Sequence, residues 1–140
     1  VKRCAELGKR LILNPAPAQW LSADFYLSLF AITPNETETE LLTGVRVIDE
    51  ASARQAAEVL LSRGVANVII TLGSKGALLH NARQSVMVAA PVVQAVDTTA
   101  AGDVFNGAFA VAVANSLPLE QAVAAACQAA ALSVTRMGAQ

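Results

Sequence analysis

The stretch Asp97-Thr98-Thr99-Ala100-Ala101-Gly102-Asp103-Val104-Phe105-Asn106-Gly107-Ala108 sets a run of small residues, then a carboxylate, at the start of an apolar helix. The first N–H groups of a helix have no partner inside it and carry the positive end of its dipole. Small side chains leave those donors bare, and phosphate is a common occupant of such a place. An Asp beside it can take the proton of a hydroxyl that attacks the phosphate. The residues therefore read as a phosphoryl-transfer turn, with a plain N-cap of Asp and Thr as the alternative.

Outward from this turn, apolar strands and helices alternate. Helix formers fill residues 2 to 9 and end at Gly8. Residues 10 to 14 and 29 to 33 read as short buried strands, each stopped by proline at Pro15 and Pro34. Residues 19 to 28 and 35 to 42 read as helices, the second acidic and ending near Gly44. Ser52 to Arg63 puts Ala56, Ala57, Leu60 and Leu61 on one helical face before Gly64. Val68 to Leu72 is β-branched, continuous and bounded by glycine, as a fully buried strand should be. Residues 76 to 80 and 85 to 89 read as two strands joined through 81 to 84. Helices are expected from about 101 to 114 and 119 to 134, the latter Ala-rich over 122 to 131. Strands alternating with helices predict an α/β fold with a mostly parallel sheet.

A chain of 140 residues, 54 % of them apolar, suits a single domain with a real core. Charged residues are 15 % and the net charge is −1, so no basic field draws nucleic acid or an anionic membrane. Aromatics are scarce, which argues against base stacking. No segment reaches the ~18 to 20 apolar residues of a membrane span. Glu6 and Lys9-Arg10 break up the N-terminus as a signal peptide. Cys4 and Cys127 lie far apart in helical patterns and read as reduced thiols of a cytoplasmic protein. Val1 reads as mid-helix and Gln140 stands close behind a motif, so both ends read as cuts and not natural termini.

Five motifs in order carry a resemblance: Asn14-Pro15-Ala16-Pro17, Thr33-Pro34-Asn35-Glu36-Thr37-Glu38, Thr71-Leu72-Gly73-Ser74-Lys75-Gly76, Asp97 to Gly107, and Val134-Thr135-Arg136-Met137-Gly138-Ala139-Gln140. Over its whole length the chain resembles the C-terminal half of the ribokinase branch of the PfkB family of sugar and nucleoside kinases. The resemblance implies a three-layer α/β/α fold with a Rossmann-like sheet. Residues 1–140 would be its nucleotide-binding and catalytic part, without the sugar-binding half and lid.

By the same resemblance, Asp103 is the catalytic base, and Ala100, Ala101 and Gly102 supply backbone N–H groups to the transferred phosphoryl. Asn35 and Glu38 lie near the nucleotide phosphates, with Glu38 acting on Mg²⁺ through water. A helix start is the bland reading of that pair. Thr71, Gly73 and Gly76 face the nucleotide. A P-loop reading fails, because G-x-x-x-x-G-K-[ST] is absent, and a turn needing positive φ would also explain the glycines. Cys127 stands where some relatives place a His near the adenine. Asp97, Thr99, Ser133, Arg136 and Gly138 match a monovalent-cation site, so the implied cofactors are ATP, Mg²⁺ and K⁺. Glu36, Glu40 and Lys75 read as solvated. His80, the single histidine, has no partner motif.

Together these imply ATP-dependent phosphorylation of a sugar hydroxyl. The partners are a sugar and ATP, with a lid-mediated homodimer in the full-length protein. Asn14 to Pro17 and the Ala-Ala-Gly-Asp form favour D-ribose. Fructose, a nucleoside and 2-keto-3-deoxygluconate are the alternative acceptors. An inactive nucleotide-binding fragment is the alternative class, and the isolated portion is expected to bind nucleotide weakly and leave ribose unphosphorylated.

Overall fold

A computed structural model describes residues 2–98 and 100–136. The chain divides into two compact units, Val1–Leu72 with Leu78–Val86, and Gly73–Ala77 with Met87–Gln140. In order, the elements are α1 (Lys2–Glu6), β1 (Ile12–Leu13), α2 (Ala23–Leu27), β2 (Ala31–Ile32), α3 (Glu36–Thr43), α4 (Glu50–Ser62), β3 (Asn67–Thr71), a 3₁₀ turn (Gly73–Lys75), β4 (Ala77–Asn81), β5 (Ser85–Val88), α5 (Ala101–Ala114) and α6 (Leu119–Ser133).

The five strands form one sheet in the order β1-β2-β3-β4-β5. β1, β2 and β3 run parallel, with Ile12 opposite Ala31, and Ala31 opposite Asn67. β4 follows β3, and β5 follows β4, across connections far shorter than the dozen or more residues a parallel crossover needs, so both steps are antiparallel. The sheet is therefore mixed: parallel where helices intervene and a hairpin at its other edge. The first two strands are shorter than expected at both ends, and Pro15 and Pro34, which cannot donate to a ladder, follow two residues after them.

In the first unit α3 and α4 pack on β3. Val68, Ile69, Ile70, Ala53, Ala56, Ala57 and Leu60 are fully buried, which explains the unbroken apolar run of β3. α4 begins earlier than its apolar face suggests. Asp49 accepts from the Ser52 N–H, and the Ser52 hydroxyl answers at the Asp49 N–H, closing a capping box. The Ser52 N–H and hydroxyl hold the Asp49 carboxyl below its ordinary value.

His80 has partners that its sequence neighbourhood does not announce. It is 7 % exposed on β4. Its Nε2 lies 2.6 Å from Glu58 Oε1 on α4, and its Nδ1 lies 2.8 Å from the Ser85 hydroxyl on β5. Arg54 donates to the Ser85 carbonyl at 2.8 Å and also reaches the Ser85 hydroxyl and Glu50. Helix and hairpin are thus pinned by a polar chain in which every buried side-chain atom described is satisfied.

In the second unit α5 and α6 pack on each other. α5 buries Phe105, Phe109, Ala112 and Val113, and α6 buries Ala122, Val123, Ala126, Cys127 and Ala131. The Ala-rich run of α6 is thus a packing face. Cys4 and Cys127 are free thiols. No helix among the described residues is long and apolar enough to cross a membrane.

Candidate functional site

In the first unit the structure joins three of the sequence-derived residues. β2 and β3 are parallel, and Asn35, beyond the end of β2, bridges Thr71, the last residue of β3, with the Thr71 N–H donating to the Pro34 carbonyl at 3.0 Å. Ligands of open α/β sheets collect at such strand ends. Asn35 caps α3. Its Oδ1 accepts from the Glu38 N–H at 2.8 Å, and Glu38 Oε2 accepts from the Asn35 N–H at 2.9 Å. The helix-start reading of this pair therefore holds. The box commits one Glu38 oxygen and fixes the carboxylate in place. Glu36 and Glu40 are exposed.

In the second unit the glycines after β3 have separate reasons. Gly73 opens the 3₁₀ turn at φ 60° with open space where a Cβ would stand. Gly76, at φ 105°, is packed so closely that a Cβ would lie 2.0 Å from the Val88 carbonyl oxygen. Backbone approach within this unit thus accounts for Gly76. Lys75 is exposed.

The turn before α5 is described at Thr98 and again from Ala100. Ala100 is the N-cap, in the left-handed region at φ 64° and ψ 11°, and its methyl side chain makes no cap bond. The Ala101 N–H turns to the Thr98 carbonyl over a long 3.3 Å. Among the described residues no group accepts from the N–H groups of Gly102 and Asp103. A Cβ on Gly102 would meet no atom of the described residues within 4 Å. Asp103 is exposed in the first helical turn, where the dipole favours a carboxylate. The Asn106 amide, which sequence reasoning left unassigned, donates to the Gly102 carbonyl at 2.8 Å.

Ala in the left-handed region is disfavoured by about 1–2 kcal/mol, and glycine loses about 0.5–1 kcal/mol more conformational entropy on folding. Ala100→Gly is therefore expected to stabilise the protein by about 0.5–1 kcal/mol in a urea titration. A loss of stability would show that Ala100 is not strained.

Asp97 meets the end of α6. The N–H groups of Val96 and Asp97 donate to the Val134 carbonyl at 2.6 and 3.0 Å. This brings Asp97 beside the turn in which the Arg136 N–H donates to the Ser133 carbonyl at 3.3 Å. Three of the five cation-site positions are thereby gathered, while Thr99 and Gly138 lie outside the described residues. Cys127 is buried on α6, and burial pushes its thiol up to about 11. At neutral pH it is an uncharged packing group, not a nucleophile.

The family model described as pfkB family carbohydrate kinase matches residues 1–140. The chain is 48 % identical over 133 residues to a ribokinase of Haemophilus influenzae, covering 95 % of this chain and 44 % of that protein. It is 42 % identical over 145 residues to a deoxyribokinase of Salmonella typhi, covering 100 % of this chain and 47 % of the relative. The structure of Arabidopsis thaliana ribokinase complexed with ribose and ATP superposes with a TM-score of 0.89 at 33 % identity, over 99 % of this chain and 45 % of that one. The chain thus spans about half the length of the curated relatives it matches. With the family model matching residues 1–140 and the ribokinase-like α/β fold in place, this chain belongs to the PfkB family of carbohydrate kinases.

Proposed function

We propose that this chain is the phosphate-transfer part of an ATP-dependent sugar kinase whose acceptor is D-ribose. The observation that carries the reading is the opening of α5, where an exposed carboxylate adjoins two main-chain donors that no described group occupies. Asp103 takes the proton of the attacking sugar hydroxyl. The hydroxyl oxygen bonds to the γ-phosphorus, the bond from that phosphorus to the β-phosphate bridge breaks, and ADP departs with the electron pair. The N–H groups of Gly102 and Asp103 stabilise the charge on the phosphoryl in flight; Ala100 and Ala101, expected to donate with Gly102, instead shape the turn, the Ala101 N–H being turned to the Thr98 carbonyl. Preorganised donors of this kind are each worth about 10²–10³ in kcat.

To the nucleotide phosphates we assign Asn35, Thr71 and Gly73, with Gly76 shaping the turn and Cys127 packing near the adenine. The free oxygen of Glu38 would hold Mg²⁺ through water, and Asp97 with the carbonyls of Ser133 and Arg136 would hold K⁺. When bound, these cations would offset the negative charge of the phosphates and of Asp97. A cytoplasmic homodimer completes the proposal.

Ribose is supported by the ribokinase relatives, whereas the deoxyribokinase at 42 % identity favours 2-deoxyribose as the second reading. Coupled-enzyme turnover of the complete gene product on ribose, 2-deoxyribose, fructose, ribonucleosides and 2-keto-3-deoxygluconate decides. The expected result is the highest kcat/KM on ribose. A higher value on 2-deoxyribose would replace the acceptor, and no turnover on any would overturn the kinase reading.

A further inference from the structure

We infer that Asn106 is a positioning residue for phosphoryl transfer, acting through the peptide between Gly102 and Asp103; the inference rests on the proposed role of that turn. The Asn106 Nδ2 donates to the Gly102 carbonyl at 2.8 Å. That carbonyl and the Asp103 N–H belong to one planar peptide group, whose resonance couples oxygen to nitrogen. A donor on the oxygen draws electron density from the nitrogen and makes the N–H a stronger donor, by about 10–30 % per bond in condensed phase. The Asp103 N–H is one of the two donors that no described group occupies.

Asn is an indifferent helix former, and its side chain competes for backbone groups. At position 106 it gives a second bond to a carbonyl one turn back, in the peptide group that also carries the N–H of the proposed base. Stability alone would favour Ala here. The bond also fixes the plane of the 102–103 peptide, where Gly102 contributes no side chain to do so.

A donor worth about 10²–10³ in kcat, weakened by about 10–30 %, predicts a two- to eight-fold effect. In the complete gene product, Asn106→Ala and Asn106→Leu should lower kcat by about two- to eight-fold with the KM for ATP unchanged. Affinity for ADP with aluminium fluoride, which mimics the phosphoryl in flight, should fall by the same factor, and affinity for ADP alone should not move. Asn106→Ser should restore most of kcat, because its hydroxyl can reach the same carbonyl. A merely structural role ranks the variants the other way, since Ala is the better helix former. The amide proton of Asp103 in a nitrogen-labelled sample should move upfield in Asn106→Ala and return in Asn106→Ser.

Equal kcat in Ala and wild type, a shared defect in Ala and Ser, an effect confined to KM, or an unmoved Asp103 amide would each overturn the inference. Asp103→Asn, run alongside, separates it from the reading beneath. If that variant keeps its turnover, the role of the turn itself fails. If it is inactive while Asn106→Ala is normal, only the role of Asn106 fails.

Discussion

Replacing Asp103 by Asn in the complete gene product is expected to lower kcat for sugar phosphorylation by about 10²–10⁴-fold, with the KM for ATP changed little. The side chain is exposed in the first turn of α5, and no ion pair of the described residues involves it. The Asn amide has nearly the same shape and no useful basicity, so the fold and the neighbouring donors stay as they are. What is lost is the group that removes the hydroxyl proton. The loss should appear in single-turnover rates as well as at steady state, because it concerns the chemical step and not product release. Turnover within a few-fold of wild type would remove Asp103 as the base. The open turn would then be an anion-binding feature alone.

The second large effect concerns stability. Gly76→Ala is expected to destabilise the protein by about 3 kcal/mol. Two causes coincide at this residue. Its φ of 105° lies where an L side chain is strained, and the new Cβ would fall 2.0 Å from the Val88 oxygen and 2.8 Å from the Ala90 nitrogen. Both obstacles are backbone atoms, which cannot rotate away. Gly73→Ala is the control, because its φ is 60° but its Cβ would meet nothing, so about 1 kcal/mol is expected. Urea midpoints at constant slope measure both. Equal effects at the two glycines would show that close approach is not what Gly76 provides. Should Gly73→Ala instead raise the KM for ATP while leaving stability nearly intact, the nucleotide role proposed for that turn gains independent support.

Much of this arrangement was legible along the chain. The β-branched run at Val68–Thr71 became the central strand β3, and the apolar spacing of residues 52 to 63 became α4. Prolines ended strands where they stand, and Gly44 closed α3 in the left-handed conformation. These features depend on local sterics and on the period of apolar residues, which a linear string records. His80 shows what such a string omits. Its partner Glu58 lies 22 residues away on another element, and no spacing rule points to it. Gly76 shows the same, since the backbone that demands glycine belongs to a strand a dozen residues on.

The amino-acid order by itself determined the family, the sequence of strands and helices, and the small-residue turn before Asp103, because propensity, apolar period and turn chemistry all act over a few residues. Tertiary structure decided which glycine is required by close packing, and that Asp97 meets the end of α6. Those outcomes depend on chain segments far apart in sequence approaching within a few ångströms, a distance that no local pattern encodes.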